Sequence, residues 1–527
     1  MTAPGLLRTA ALGVPIAALG ALQTISFVNT LAWALPILTL ALLVWRLNRA
    51  TPRQGAWLAW CYGTAWLCAG VWWLFISMHR YGGLPAWLAA LAVLALAAAL
   101  SLYLALAGWC YARWRRGQAL HDAALFAALW LLAELARGLI FTGFPWVASG
   151  YSQVDSALAL LAPWVGVYGM GAVLAFVAAG LANTALAPAV ALRRRVMSWV
   201  AVMVAVLVAL VLPMWAPPHA FTHASSVLSV SLLQNNVAQE EKFAVDLLPG
   251  ALAWAAQALT SSQADLVLGP ETVIPLLPSQ LIELAPELWP QLHKHFVLTR
   301  QAGLVGMPLG DTERGYTNSV VSLGDAAPGL SYRYSKHHLV PFGEVIPLGF
   351  RWFTEMMDIP LGDFERGSPN APSFPVRGER VALNICYEDL FGEELAVRFA
   401  DAATAPTVLV NISNIGWFGN TIAITQHLNI SRLRTLELQR PMLRATNTGA
   451  TAIIDHQGRV TAQLPPFTRG ALQGQVQGRR GNTVYADWAS RWGLWPLVGL
   501  ACLVVLLALG LSVASKKGMP RKLARSP

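Results

Sequence analysis

A thiol, a carboxylate and an ammonium, each placed after a strand-like run, make a set that can move an acyl group. Cys386 ends the apolar run in VALNICYED (381–389), Glu271 ends ADLVLGPE (264–271), and Lys336 sits in YRYSKHHLVPFGE (332–344). A carboxylate can take the thiol proton as general base. The thiolate can attack a carbonyl and hold the acyl group as a thioester. An ammonium lowers the thiol pKa and stabilises the tetrahedral oxyanion. Residue by residue, plainer readings compete. A free cysteine usually sits as a small buried hydrophobe, and a lone Glu or Lys is usually solvated surface. Their joint context singles them out.

The elements that must carry these residues are legible between 226 and 480. VLSVSLLQ (227–234), ADLVLGPE, GLVGMPLG (303–310), SVVSLGD (319–325), VALNICYED, TVLVNISN (407–414) and ATAIIDHQG (450–458) read as strands ending in polar or turn residues. Helical stretches are expected around 246–262 and 425–442. This mixture over 226–480 predicts one α/β domain, for which alternation alone allows a doubly wound sheet. Pro213, Pro217 and Pro218 mark its upstream boundary.

Outside that section the chain reads as membrane protein. Of its 527 residues 56% are hydrophobic and only 12% charged, against about 25% charged in soluble domains. Apolar runs long enough to span a bilayer occur at about 7–27, 29–47, 56–77, 84–109, 119–137, 157–187, 196–215 and 493–515. The net charge of +10 comes from basic residues in short connections: Arg46, Arg49 and Arg53; Arg113, Arg115 and Arg116; Arg193, Arg194 and Arg195; and the tail from Lys516 to Arg525. If every run spans, these lie on one side, the cytoplasmic one. The pattern speaks for membrane orientation and against a nucleic-acid partner. It predicts a membrane domain at 1–216, an extracytoplasmic domain at 226–480, an eighth span at 493–515 and a cytoplasmic tail at 516–527. Glu134 and Arg137, three apart near a span end, are expected to pair. Trp146 and Tyr151, in the loop after them, are expected among lipid headgroups. Arg432, Arg434, Glu437 and Arg440 are expected on a solvated or ion-paired helix face. Of the five cysteines only Cys386 lies in the hydrophilic section, which leaves it no internal disulfide partner there. No metal and no cofactor is expected.

The same segments carry a resemblance. The glutamate, lysine and cysteine segments look like those of the carbon–nitrogen hydrolase (nitrilase) superfamily. Added to them are QNNVAQEEKF (234–243), GPETVIP (269–275), KHHLVPFGEVIPL (336–348), CYEDLF (386–391), SNIGWFGNT (413–421), QHLNISRLRTLELQRPMLRATNTGATAII (426–454) and, in the membrane part, FTGFPWVASGYSQ (141–153). With them the whole chain resembles the bacterial apolipoprotein N-acyltransferases. The resemblance implies an α-β-β-α sandwich joined to an eight-span helical bundle. It implies Glu271 as general base, Lys336 as oxyanion stabiliser and Cys386 as acyl-accepting nucleophile. It further implies Glu344 as an acid supporting the lysine, and Tyr387 and Glu388 as neighbours shaping the pocket. The partners implied are a phospholipid acyl donor and a diacylglyceryl-cysteine apolipoprotein acceptor. The setting implied is the bacterial inner membrane with the catalytic domain on the periplasmic side. Nothing in the sequence requires a second subunit, so a monomer is expected.

Two positions depart from the family pattern. Asn414 is followed by Ile415 and Gly416, where an acidic and a small residue are frequent, and Phe243 stands where Trp is frequent. Phe243, Asn414, Trp417 and Phe418 are candidate substrate-binding residues, with core packing an equal reading for Trp417 and Phe418. His337 and His338 read as structural or surface residues. Two other functions use the same features differently. A membrane-tethered hydrolase would have water as acceptor; a transporter or scaffold would have an inert outer domain, with Glu134 and Arg137 as pathway charges.

Overall fold

Alternation along short central strands sorts their apolar side chains between two faces, and both faces are buried. In β2 (Leu266–Leu268), Leu266 and Leu268 enter one core and Val267 another. In β8 (Val408–Ser413), Val408, Val410 and Ile412 point one way and Leu409 the other. Strands buried on both sides need cover on both, and this protein, seen in a computed structural model, supplies it in layers. The structure describes residues 3–184, 221–311, 315–324, 332–346 and 364–517, together with 200, 204 and 211. Almost all of the run expected as a span at 196–215, the arginines at 193–195 and residues 518–527 of the tail lie outside the described residues.

Twelve strands form two six-stranded sheets. The first holds β1 (His223–Gln234), β2, β3 (Ala302–Asp311), β4 (Gly315–Leu323), β5 (Arg333–Ser335) and β12 (Gly470–Arg480), in the order β12-β1-β2-β3-β4-β5. The second runs β6 (Phe374–Val376), β7 (Glu379–Ile385), β8, β9 (Met442–Thr446), β10 (Ala452–Ile454) and β11 (Val460–Gln463) in sequence order. β1, β2 and β3 are parallel, as are β7, β8 and β9. The sheets pack through a shared core in which Leu228, Leu268 and Leu304 meet Leu383, Val410 and Ile412. Helices Leu248–Thr260, Pro278–Leu284 and Leu288–Thr299 cover the outer face of the first sheet. Helix Ile422–Leu438 covers that of the second. Two sheets, where alternation alone allowed one, follow from this apolar inner layer.

Helix Ile422–Leu438 also rests on the membrane part, so one continuous core runs from the second sheet into the helices at 35–47, 119–139 and 162–184. This corrects the expected solvated face. Arg434, Glu437 and Arg440 are at most 1% exposed. Arg434 pairs with Glu437 at 3.1 Å, and Glu437 accepts the backbone N–H of Val167 at 2.6 Å. Arg440 donates to the carbonyls of Pro406 and Leu438. Arg432 alone of the four keeps a partly exposed pair, with Asp155. The buried pair leaves no room beside it. A Cβ on Gly392 would collide with the Arg434 guanidinium and stand 2.7 Å from Glu437 Oε2. Gly392→Ala is therefore expected to cost about 3 kcal/mol, the scale of a broken buried ion pair. Thermal unfolding in detergent would read this as a clearly lowered midpoint; an unchanged midpoint would mean the pair shifts freely.

In the membrane part, Thr30–Leu47, Ala86–Trp114, Ala119–Thr142 and Ala157–Thr184 are long and apolar enough to cross a bilayer. Two bent pairs, Pro52–Val71 with Leu74–Tyr81 (62°) and Val484–Trp492 with Trp495–Gly510 (91°), bring the number to six if each is one span. Ala11–Phe27 is a shorter apolar helix. The loop after residue 139 does not lie among headgroups. Trp146 and Tyr151 are 3% and 2% exposed, because their polar ends find acceptors in the two-sheet domain. The Trp146 indole donates to Gln426 Oε1 at 2.9 Å, and the Tyr151 hydroxyl to the Leu390 carbonyl at 3.2 Å. Glu134 and Arg137 do pair, at 3.6 Å, and hold this loop. Glu134 accepts from the Ser149 N–H and hydroxyl, and Arg137 donates to the carbonyls of Phe144 and Trp146.

Candidate active site

The parallel strands end together, and in open sheets ligands bind outside those carboxyl ends. Cys386 follows β7, Asn414 follows β8, Glu271 lies three residues past β2, and Lys336 follows β5 at the same rim. Lys336 is 1% exposed. Its ammonium lies 2.8 Å from Glu344 Oε2 and 3.6 Å from Glu271 Oε1. Burial opposes its charge, but Glu344, Glu271 and the Cys386 thiol prevail and hold its pKa above the usual lysine value. Asn318, in β4, joins the two acids: its side-chain amide donates to Glu271 Oε1 at 2.7 Å and to Glu344 Oε1 at 2.8 Å. Glu271 Oε2 accepts the backbone N–H of Asn414 at 2.7 Å.

Cys386 sits at a sharp corner. Its φ is 52°, a left-handed conformation that costs a non-glycine residue about 1 kcal/mol or more and gathers at functional sites. The chain turns there from β7 into a 3-10 helix, Cys386–Leu390. Burial and Glu271 push the thiol up to about 12, while Lys336 and the Ser413 hydroxyl pull it down. The free thiol is thus held protonated at neutral pH, and a base has a proton to take. Glu388 fixes the corner. It accepts from the N–H of Ile385 (2.6 Å) and the Tyr334 hydroxyl (2.7 Å), and from the N–H groups of His337 and His338 just past Lys336. One buried carboxylate thus ties the cysteine turn to the lysine turn.

The other candidate residues divide. Tyr387 is buried and donates to the Gly143 carbonyl at 3.0 Å, a link to the membrane part. Asn414 is framework: its side chain donates to Gln239 and accepts from Asn447 and the Gly416 N–H. Trp417 and Phe418, both partly exposed, meet aromatic rings of the bent arm at 72–81: Trp417 stands edge-on to Tyr81 at 5.4 Å, and Phe418 lies 4.2 Å from Trp73. Phe243 is 59% exposed and takes no part in the packing around Lys336. His338 stacks on Phe391 at 3.5 Å and pairs with Glu394, in keeping with the structural reading. Asn318 and Lys242 were not singled out by sequence. A strand asparagine and one lysine in EEKF carry no pattern that marks them. Among the described residues, no three His, Cys, Asp or Glu side chains are grouped to hold a metal ion.

Two packed mixed sheets, with an acid-flanked lysine and a strained cysteine corner at one rim, are the frame of a carbon–nitrogen hydrolase. Residues 230–485 match the carbon–nitrogen hydrolase family, and residues 19–180 match the apolipoprotein N-acyltransferase N-terminal domain. The chain is 50% identical to the apolipoprotein N-acyltransferase of Verminephrobacter eiseniae over 88% of its own length and 89% of that protein's. It is 46% identical to that of Ralstonia nicotianae (94% and 92% covered) and 40% to that of Bordetella bronchiseptica (94% and 95%). The chain belongs to the apolipoprotein N-acyltransferase family.

Proposed function

We propose that this chain N-acylates apolipoproteins by a two-step route through a thioester on Cys386. The observation that carries this reading is the ammonium of Lys336 held between Glu271 and Glu344 at the rim where Cys386 turns. In the first step Glu271 takes the Cys386 proton and the thiolate attacks an ester carbonyl of a membrane phospholipid. The oxyanion forms beside Lys336, the ester C–O bond breaks, and the lysophospholipid oxygen receives the proton from Glu271. In the second step the amine of a diacylglyceryl-cysteine N-terminus attacks the thioester. Glu271 takes the amine proton, the C–S bond breaks, and the proton returns to Cys386. Glu344 steadies Lys336, while Glu388 and Tyr387 act as positioning residues. Phe243, Trp417 and Phe418 line the lipid approach; for Asn414 the bonding supports a positioning role.

The architecture suits substrates that never leave a bilayer, since a nucleophile held at its surface meets both without drawing acyl chains into water. The reading includes eight spans in the bacterial inner membrane, with 226–480 on the periplasmic side, in a monomer. Incubation with a defined phospholipid, followed by intact-protein mass spectrometry, tests the chemistry. A hydroxylamine-sensitive acyl adduct on Cys386 that passes to a diacylglyceryl-cysteine peptide is expected. An adduct that water alone clears would make this a hydrolase, and no adduct on folded protein would remove the covalent route.

A further inference from the structure

Lys242 is an ammonium with no evident reason to be buried. It is 4% exposed, beside Phe243, which is 59% exposed, and Glu240, which pairs at the surface with Arg80 at 2.5 Å. A hydrophilic run such as QEEKF would ordinarily turn its lysine to water, since burying an unpaired charge is costly. Here Lys242 Nζ turns inward and donates to the backbone carbonyl of Glu271 at 3.1 Å. Among the described residues no carboxylate lies within ion-pair distance of it. The charges that can act on it are that of Glu271 and, once it ionises, that of Cys386. Beyond them stand Lys336 and Glu344, then Glu388 on the cysteine turn and the Arg444–Asp389 pair behind it.

The charge count of the site gives this lysine a task. Lys336 faces two carboxylates, Glu271 and Glu344, which leaves one negative charge in excess. As Glu271 takes the thiol proton, that one net negative charge moves onto the sulfur and then onto the oxyanion, in a buried site. A second cation cancels it. We propose that Lys242 is a positioning residue of the acyl-transfer site, anchoring the Glu271 turn through its carbonyl and supplying the positive charge that lets Cys386 ionise. Burial lowers the Lys242 pKa to about 8, so its charge is present at neutral pH and lost as pH rises through that value. The inference rests on Cys386 as the acyl acceptor.

The test follows alkylation of Cys386 by iodoacetamide against pH, read by peptide mapping so that Cys61, Cys68, Cys110 and Cys502 do not confuse it. Wild type, Lys242→Met and Lys242→Arg are compared in detergent, with thermal unfolding alongside. Removing a nearby opposite charge raises a thiol pKa, so Lys242→Met is expected to alkylate about tenfold more slowly at pH 7.5. Lys242→Arg keeps its charge at high pH and is expected to restore the rate. Above pH 8 it is expected to rise more steeply than wild type, in which the lysine is discharging. If Lys242 only anchors the loop, both variants shift the unfolding midpoint and leave the pH profile as it was, which overturns the inference. Should Lys242→Met not fold, the wild-type and Lys242→Arg profiles still decide it, because coincident curves above pH 8 exclude a titrating charge. An inert Cys386 in folded wild type would remove the nucleophile assignment itself, and this inference with it.

Discussion

Cys386→Ala protein is expected to form no acyl adduct and to lose at least about 10⁴-fold in transfer, the scale on which a covalent nucleophile is missed. The fold should tolerate the change. The substitution takes away one sulfur at the edge of the inter-sheet core, against which Cys386 is only partly buried. Ala tolerates the 52° φ no worse than Cys. Glu388 keeps its bonds to Ile385, His337 and His338, since none involves the thiol. Loss of transfer with an unchanged melting profile therefore speaks about chemistry. The measurement is mass spectrometry of the protein for the thioester and of the peptide for its added acyl chain. A variant that still acylates the peptide at a comparable rate would mean that lipid and amine react directly within one ternary site, and the two-step route would be wrong.

How far the sequence reached depends on which residues carry periodic information. Seven strand runs read from alternation and apolar blocks all fall on strands, since burial of both sheet faces forces that pattern on 266–268, 381–385 and 408–413. Gly470–Arg480 was invisible because it lies at a sheet edge with one side largely in water, so Gly and Gln serve there as well as Val. Met442–Thr446 was hidden behind a helix carried too far, to 442; the chain in fact leaves the helix at Gln439, whose φ of 46° no periodicity records. Glu271, Lys336 and Cys386 were legible as chemistry at strand ends. Their partners Asn318 and Lys242 were not, because each is defined by a neighbour distant in sequence. The charged helix at 422–438 misled for a related reason. Its Arg432, Arg434 and Glu437 are satisfied by Asp155, Tyr151 and Val167, and a helix read alone gives charged residues only water to face.

Glu271→Gln separates two ways in which a carboxylate can act on a thiol. As an electrostatic neighbour Glu271 opposes ionisation: after burial, it is the largest influence holding the Cys386 thiol near 12. Neutralising it brings that value down, so at a given pH more thiolate is present and iodoacetamide should alkylate Cys386 faster than in wild type. As general base it does the opposite service, removing the proton during attack and returning it to the leaving group. Without a proton carrier, acyl transfer is expected to fall by about 10²–10⁴-fold. The scaffold cost is smaller. Gln keeps one oxygen for the Asn414 N–H, and its amide group faces the Asn318 side chain in place of an acceptor, a mismatch of about 1–3 kcal/mol. Alkylation by mass spectrometry and transfer to a diacylglyceryl-cysteine peptide are measured on one preparation. The two rates should move in opposite directions, which neither misfolding nor a displaced cysteine turn produces. If both rise together, Glu271 is only a neighbouring charge, and the proton has another acceptor at this rim.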